Sequence, residues 1–322
     1  NLRLLEYPRL IKYPSSDFMR TPSRPRFYGI IDTNRDISSF LRNMDRDETQ
    51  PPLIIITDNG STQQDVMSIE KAKTFGADVL VIDHHDPGPL DDDGKSLICK
   101  HTVAHVNPHL LGLDKGISAS MLNYQLSFFI NDDVKPDVDV AALGGVTDRC
   151  EGDDIDALLK LASKSREEFA ELGIYVDYEI FQTKFNSTHS ALIEMMTGSE
   201  DTRKRLMELY RPKLKEAEAE LRQVVKHFMQ QEKLGRFTTS WLDGEATSFR
   251  GDYFTIGKLA AITNDSTAEV GNRVTIIYSN GIIVFRCEQE QGMGFNVNDI
   301  IALLREKVPY ARVNGGGHDV AG

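Results

Sequence analysis

Residues 53–87, LIIITDNGSTQQDVMSIEKAKTFGADVLVIDHHDP, decide how the rest of this chain is read. Two apolar runs, 53–56 and 79–82, each lead into an Asp, as Thr57-Asp58 and as Asp83-His84-His85. Short β-branched runs bounded by turn residues read as strands buried on both faces. Between them Val66, Ile69, Ala72 and Phe75 recur every three residues, the pattern of an amphipathic helix, and Gly76 follows as its stop signal. Strand, helix and strand make a βαβ unit, so the two strands are expected to be parallel, with their C-terminal ends at one sheet edge. Open parallel sheets bind ligands at that edge. Asp58, Asp83, His84 and His85 are therefore expected in one crevice. Carboxylate with imidazole suits Mn²⁺, Zn²⁺ or Fe²⁺ better than Ca²⁺.

Each feature alone has a plainer account. A lone Asp after a strand caps a helix or turns the chain, and adjacent histidines can be a surface pair. Both features at successive strand ends of one βαβ unit favour the metal reading. In this context the chain resembles a known family. Asp83-His84-His85, preceded by VLVI and followed by Asp86-Pro87-Gly88, is similar to the signature of the DHH phosphoesterases. Asp58-Asn59-Gly60-Ser61 resembles their second motif, particularly in the RecJ-like exonuclease branch. The run ALGGVTDR, ending at Asp148-Arg149, resembles the fourth. Gly315-Gly316-Gly317-His318 resembles the GGGH of the accessory DHHA1 domain. The matches fall in family order.

One motif departs from that pattern. The family places a His-x-Asp-x-Asp-Gly type segment at the end of its first strand, where it supplies much of the first metal's shell. Asp32-Thr33-Asn34, after a strand expected at 27–31, lacks the His and has Arg35 where Gly belongs. The 27–31 strand is better read as the second strand, followed by a helix at 37–44 and a polar loop at 45–52. A further strand is expected near residues 2–5. The chain starts at Asn1 and stops at Gly322, just after GGGH, and both ends read as cut.

Composition narrows the function classes. The 322 residues suffice for two cored domains, and 40% apolar with 27% charged residues is ordinary for a soluble protein. No apolar run is long enough to span a bilayer and no N-terminal signal pattern appears, so the expectation is cytoplasmic, without a membrane partner. Cys99, Cys150 and Cys287 stand apart with no CxxC, which fits a reducing compartment and argues against a cysteine zinc site. A net charge of −12 is unfavourable to long nucleic acid, whose binding rests on Lys and Arg. A short substrate or a local basic groove is implied.

Further along, Asp91-Asp92-Asp93-Gly94 reads as a solvated turn, and His105 in the 103–106 stretch as a packed or exposed side chain. His109 is a candidate substrate-facing imidazole, with a structural role an equal alternative. A buried helix is expected over 116–130, with Met121, Leu122, Leu126 and Phe129 on one face. The apolar segment 138–146 then delivers Asp148 and Arg149 to the same edge, its Gly144-Gly145 pair permitting close approach. Arg149 would either meet phosphate or pair with a nearby acid. From 154 to about 233 the pattern is helical and highly charged, a connector with a solvated face in which His189 and His227 are structural. From Gly235 the texture is again α/β: strands at 237–242, 273–278 and 282–287, helices at 256–262 and 297–307, and a hairpin signal at Asn280-Gly281. Three glycines before His318 could cradle an anion or form a loose terminal loop. The resemblance, with Arg286 on a neighbouring strand, favours a phosphate- or base-binding cleft.

The expected architecture is α/β. A parallel-sheet DHH domain (1–165) is joined by a helical connector (166–234) to a smaller α/β DHHA1 substrate-binding domain (235–322). The resemblance implies two-metal hydrolysis of phosphodiesters in single-stranded DNA or RNA or in short oligonucleotides, with Mn²⁺ as the metal and Mg²⁺ or Co²⁺ as alternatives. It assigns Asp58 as a bridge between metals, and His84 and Asp148 as ligands of the second. Asp83 would orient His84, His85 would face the scissile phosphate, and Arg149, Arg286 and the 315–318 loop would hold substrate. Lacking the first motif, the chain would hold one metal better than two. Two other readings stay open: an impaired DHH relative acting as a scaffold among replication or repair proteins, and a pyrophosphatase or polyphosphatase.

Overall fold

The structure is a computed structural model that describes residues 53–74, 76–113, 116–130, 138–183, 190–245, 255–267, 271–279, 281–290, 292–311, 313 and 320. The strands expected at 2–5 and 27–31, the helix at 37–44, the loop at 45–52, the Asp32-Thr33-Asn34 segment, His189, Asn280 and the Gly315–His318 loop lie outside the described residues. The chain divides into two compact units, Asn1–Met207 and Glu208–Gly322.

In the first unit, strands β1 (Leu53–Thr57), β2 (Asp78–Ile82) and β3 (Ala104–Val106) form a parallel sheet in the order β1-β2-β3. Helix α1 (Val66–Thr74) makes the crossover and buries Ile69 and Ala72 against Val79, Val81 and Ile98. It ends as expected at Gly76, whose N–H bonds the Lys73 carbonyl at 2.8 Å and whose φ of 80° turns the Ala77 N–H back to the Ala72 carbonyl. Burial on both faces holds for β2 but not for β1, where Leu53 and Ile55 are exposed. Among the described residues β1 is the end strand of its sheet.

Helices α2 (Ala119–Ile130), α3 (Val138–Thr147), α4 (Asp153–Leu161) and α5 (Arg166–Thr183) build a second core around Ala142, Leu143, Ile155, Phe169 and Leu172. The segment 138–146 is thus helical. Its two glycines bring neighbours in: a Cβ on Gly144 would lie 2.1 Å from Ser120 Oγ, and one on Gly145 2.6 Å from Ile155 Cδ1. This close approach reorients α2. Its buried face carries Ala119, Asn123 and Ser127 together with Met121, and Phe129, expected on the apolar face, is 87% exposed. Helix α6 (Ser190–Thr197) also belongs to this unit.

The second unit begins within α7 (Glu200–Phe228). It contains a sheet of order β4-β5-β6-β7 (Gln230–Leu234, Phe237–Asp243, Arg273–Ser279, Ile282–Glu288), paired antiparallel, parallel and antiparallel. Helix α8 (Ile256–Ser266) buries Leu259 and Ile262 with Leu242 and Ile277, and α9 (Val297–Lys307) packs Val297 and Ile301 on Phe285. The β6–β7 register closes at Ser279↔Ile282 with Gly281 at φ 76°, the two-residue hairpin that Asn280-Gly281 signals.

Candidate metal centre

The ladder places both strand ends at one edge. Asp58 N–H bonds the Ile82 carbonyl and Asp83 N–H bonds the Val106 carbonyl, each at 3.0 Å. Asp58 then adopts φ 61°, a left-handed conformation that a side chain rarely occupies, and the chain turns out of β1 there. Asp148 arrives from α3: its N–H still bonds the Gly144 carbonyl, and the chain leaves the helix through Arg149, also left-handed at φ 60°. Two non-glycine residues in this region, both beside the same cluster, mark where local strain has been retained.

His84 is the centre of the arrangement. Its ring is 2% exposed, with Nε2 3.3 Å from Asp58 Oδ1 and Nδ1 3.4 Å from Asp148 Oδ2. Donor atoms of Asp58, Asp83, His84 and His85 all lie within 4.8 Å of one another. Asp83 is 1% exposed and points inward. Its Oδ1 accepts from His84 N–H (2.7 Å) and His85 N–H (3.3 Å) and lies 2.7 Å from His85 Nδ1, while Oδ2 accepts from Ser61 N–H at 3.1 Å. The ring that Asp83 holds is therefore that of His85; of His84 it holds the backbone N–H.

The charges follow from these contacts. Burial pushes the Asp83 carboxyl up, but the bonds from His85, Ser61 and the His84 N–H outweigh it and hold the group well below the usual carboxylate range. The hydrogen bond that His85 gives to Asp83 raises the His85 pKa against the opposing effect of burial, with the charges of Asp83, Asp58 and Asp148 adding to the rise. Burial raises Asp148, and the like charge of Asp58 raises it further, against His84 and His85. Two carboxylates gathered at one imidazole repel each other, and a divalent cation between them would remove that repulsion. Asp58, Asp83, His84 and His85 form the cluster whose donors could hold such an ion, with Asp148 at the other ring nitrogen of His84, and this mixed oxygen and nitrogen character suits a first-row transition metal.

Beside the cluster lies a cavity of about 410 Å³, lined by Asp58, Asp148, Ser118, Ser120, Asn123 and Thr147 among others. Arg149, exposed, is next to Asp148 in the chain. Arg286 is on β7 of the second unit, opposite Thr275. His109 lies in a short turn over Pro108–Leu111, its N–H capped by the Asn107 side chain. Among the described residues no helix is long and apolar enough to cross a membrane.

Sequence reasoning read His105 as a packed or exposed side chain without its partners: with Asn107 and the side chain of Ser61 it forms a partly buried polar group behind Asp83. Ser61 lies 44 residues from His105, so no local pattern announces the contact.

A parallel sheet with Asp and His at its strand ends, beside a polar cavity, is the layout of a phosphoesterase-like α/β fold. No family model matches the chain. Its structure is similar to the DHH domain of a protein described as a member of a family of ribosomal proteins, with a TM-score of 0.80 and 28% identity over 93% of this chain and 71% of that one. Its sequence is 27% identical to an uncharacterized protein of Methanocaldococcus jannaschii over 95% of this chain. The chain spans 43% of the length of that relative. This chain belongs to the DHH superfamily.

Proposed function

We propose that the chain is the catalytic part of a divalent-metal-dependent phosphodiesterase of the RecJ-like kind. Its substrates would be single-stranded nucleic acid or short oligonucleotides in the cytoplasm, and its preferred metal Mn²⁺. The observation that carries this reading is the imidazole of His84 set between the carboxylates of Asp58 and Asp148 at the rim of a polar cavity. Asp58, His84 and Asp148 would hold the ion, whose chemistry when bound is charge neutralisation at the phosphoryl group and acidification of water. His85, kept protonated by Asp83 at its Nδ1 side, would donate a hydrogen bond from Nε2 to a phosphoryl oxygen and then pass that Nε2 proton to the leaving oxygen. Arg149 would contact phosphate. In the second unit Arg286 and the residues Gly315, Gly316, Gly317 and His318 would contact substrate, as in DHHA1 domains. The net charge of −12 supports short strands over duplex. A similar domain described as belonging to a family of ribosomal proteins makes RNA the first substrate to test.

One observation favours a second reading. Among the described residues the donors suffice for one cation, which suits an impaired relative acting as a scaffold among replication or repair proteins. The full-length protein with Mn²⁺, given short single-stranded RNA and DNA, is expected to release mononucleotides and spare duplex, and His85→Ala is expected to abolish release. Inactivity on RNA, DNA, dinucleotides and cyclic dinucleotides with Mn²⁺, Mg²⁺ and Co²⁺ alike would hand the case to the scaffold.

A further inference from the structure

His105, in the middle of β3, turns its imidazole into the protein. Nε2 lies 2.8 Å from Ser61 Oγ, and Nδ1 lies 3.1 Å from Ser96 Oγ and 3.6 Å from Cys99 Sγ. Ser61 and Ser96 are both fully buried. Asn107, also buried, donates from Nδ2 to Ser61 Oγ and to the His85 carbonyl, each at 2.9 Å, and its Oδ1 accepts from His109 N–H. A carbonyl oxygen can only accept, so the orientation of the Asn107 amide follows from its partners. Ser61 Oγ therefore receives a hydrogen bond from Asn107 and has one proton left to give. The atom facing it is His105 Nε2. An accepting Nε2 puts the His105 proton on Nδ1, where Ser96 Oγ can take it. Burial lowers the His105 pKa, against an opposing effect of the Asp83 charge, in keeping with a neutral ring.

This group leads to one residue by two routes. Through Ser61, whose N–H donates to Asp83 Oδ2, it reaches the carboxylate that holds the His85 ring. Through Asn107 it reaches the His85 backbone carbonyl. A satisfied buried histidine needs only its own two partners; this one belongs to a chain of polar atoms in which every link is buried or partly buried. In low dielectric such a network holds its members rigidly.

We propose that His105 is a positioning residue for His85: by accepting the Ser61 hydroxyl proton at Nε2, it sets the Ser61 loop whose N–H orients the Asp83–His85 pair. The role in catalysis rests on the phosphodiesterase reading; the effect on His85 does not. His105→Phe keeps a ring but offers no acceptor, whereas His105→Gln restores an acceptor and a donor.

The experiment is imidazole ¹H–¹⁵N spectroscopy of the metal-free chain, with backbone amide spectra as the check of folding. Wild type is expected to show His105 protonated at Nδ1 and a slowly exchanging His85 Nδ1 proton. That His85 signal should vanish into solvent exchange in His105→Phe and survive in His105→Gln. Ser61→Ala should also lose it, which keeps the test open if His105→Phe fails to fold. In turnover, His105→Phe should lower kcat by roughly 10- to 100-fold with KM unchanged, the loss usual for a group that orients another, and His105→Gln should recover most of it. A His85 signal that persists in folded His105→Phe or Ser61→Ala, or a His105 proton on Nε2, overturns the proposal. If wild type hydrolyses nothing, the phosphodiesterase reading falls while the spectra still decide whether His105 holds His85.

Discussion

Asp83 Oδ1 lies 2.7 Å from His85 Nδ1, and the aspartate is 1% exposed. Its carboxylate cannot be hydrated, so its charge is balanced by the imidazole and three backbone N–H groups. Asp83→Asn keeps the shape but removes the charge. We expect it to cost about 3 kcal/mol in urea unfolding, the range for breaking a buried pair. His85→Gln added to it should be less damaging than the two effects summed. A neutral Asp83→Asn would show that the pair contributes nothing to the fold.

Metal should stabilise the native state by mass action. With free Mn²⁺ at a hundredfold excess over its Kd, the gain is about 2.7 kcal/mol, seen as a raised Tm. His84→Ala removes the imidazole that faces both Asp58 and Asp148 and should abolish most of the shift. An undiminished Mn²⁺ response in that variant removes His84 from the ligand set.

Gly144 has no room for a side chain, since its Cβ would fall 2.1 Å from Ser120 Oγ and 2.5 Å from Ser120 Cβ. Serine is too short to swing clear, so α2 and α3 would have to separate. Gly144→Ala is expected to destabilise by about 1–3 kcal/mol, as overpacking does. Gly144 and Ser120 both line the cavity, so the variant should also disturb whatever binds there. Unchanged stability would mean that the helices give way freely.

Arg149 at φ 60° is strained by its own Cβ. Only the backbone separates Arg149→Gly from Arg149→Ala, since both lose the guanidinium. The glycine variant should be the more stable by about 1 kcal/mol, and both should bind phosphate-containing substrate more weakly. Equal stabilities would argue against a left-handed residue at this position.

What the sequence reveals here is mostly what is local. The βαβ unit over 53–82 was legible because strand runs, the helical spacing of Ile69 and Ala72, and the Gly76 stop each lie within a few residues. Once the strands are parallel, Asp58 and Asp83 must share an edge. The class of the 138–146 segment was less legible, because an unbroken apolar run gives no period to separate helix from strand. The exposed Phe129 has a related cause: α2 turns its small residues to Gly144, a choice made by its partner helix. That Asp83 holds the His85 ring depends on how the loop after β2 folds back, and the His105 group depends on contacts between β3 and a loop 44 residues away.

That group makes a pH prediction whose sign is set by burial. His105 has a folded pKa below its ordinary 6.5, lowered by burial and only partly restored by the Asp83 charge. Its other hydrogen-bond partners include the uncharged hydroxyls of Ser61 and Ser96. Below about pH 6.5 the unfolded chain takes up a proton at this position that the native chain refuses, so native stability falls as pH drops through that window. His85, whose pKa is raised, acts in the opposite sense and is lost from the comparison when only His105 is changed. Urea unfolding at about pH 7.5 and about pH 5.5 should therefore show the wild type losing more stability on acidification than His105→Gln. Equal losses in the two proteins would mean that His105 takes up its proton as readily in the folded chain as in the unfolded one.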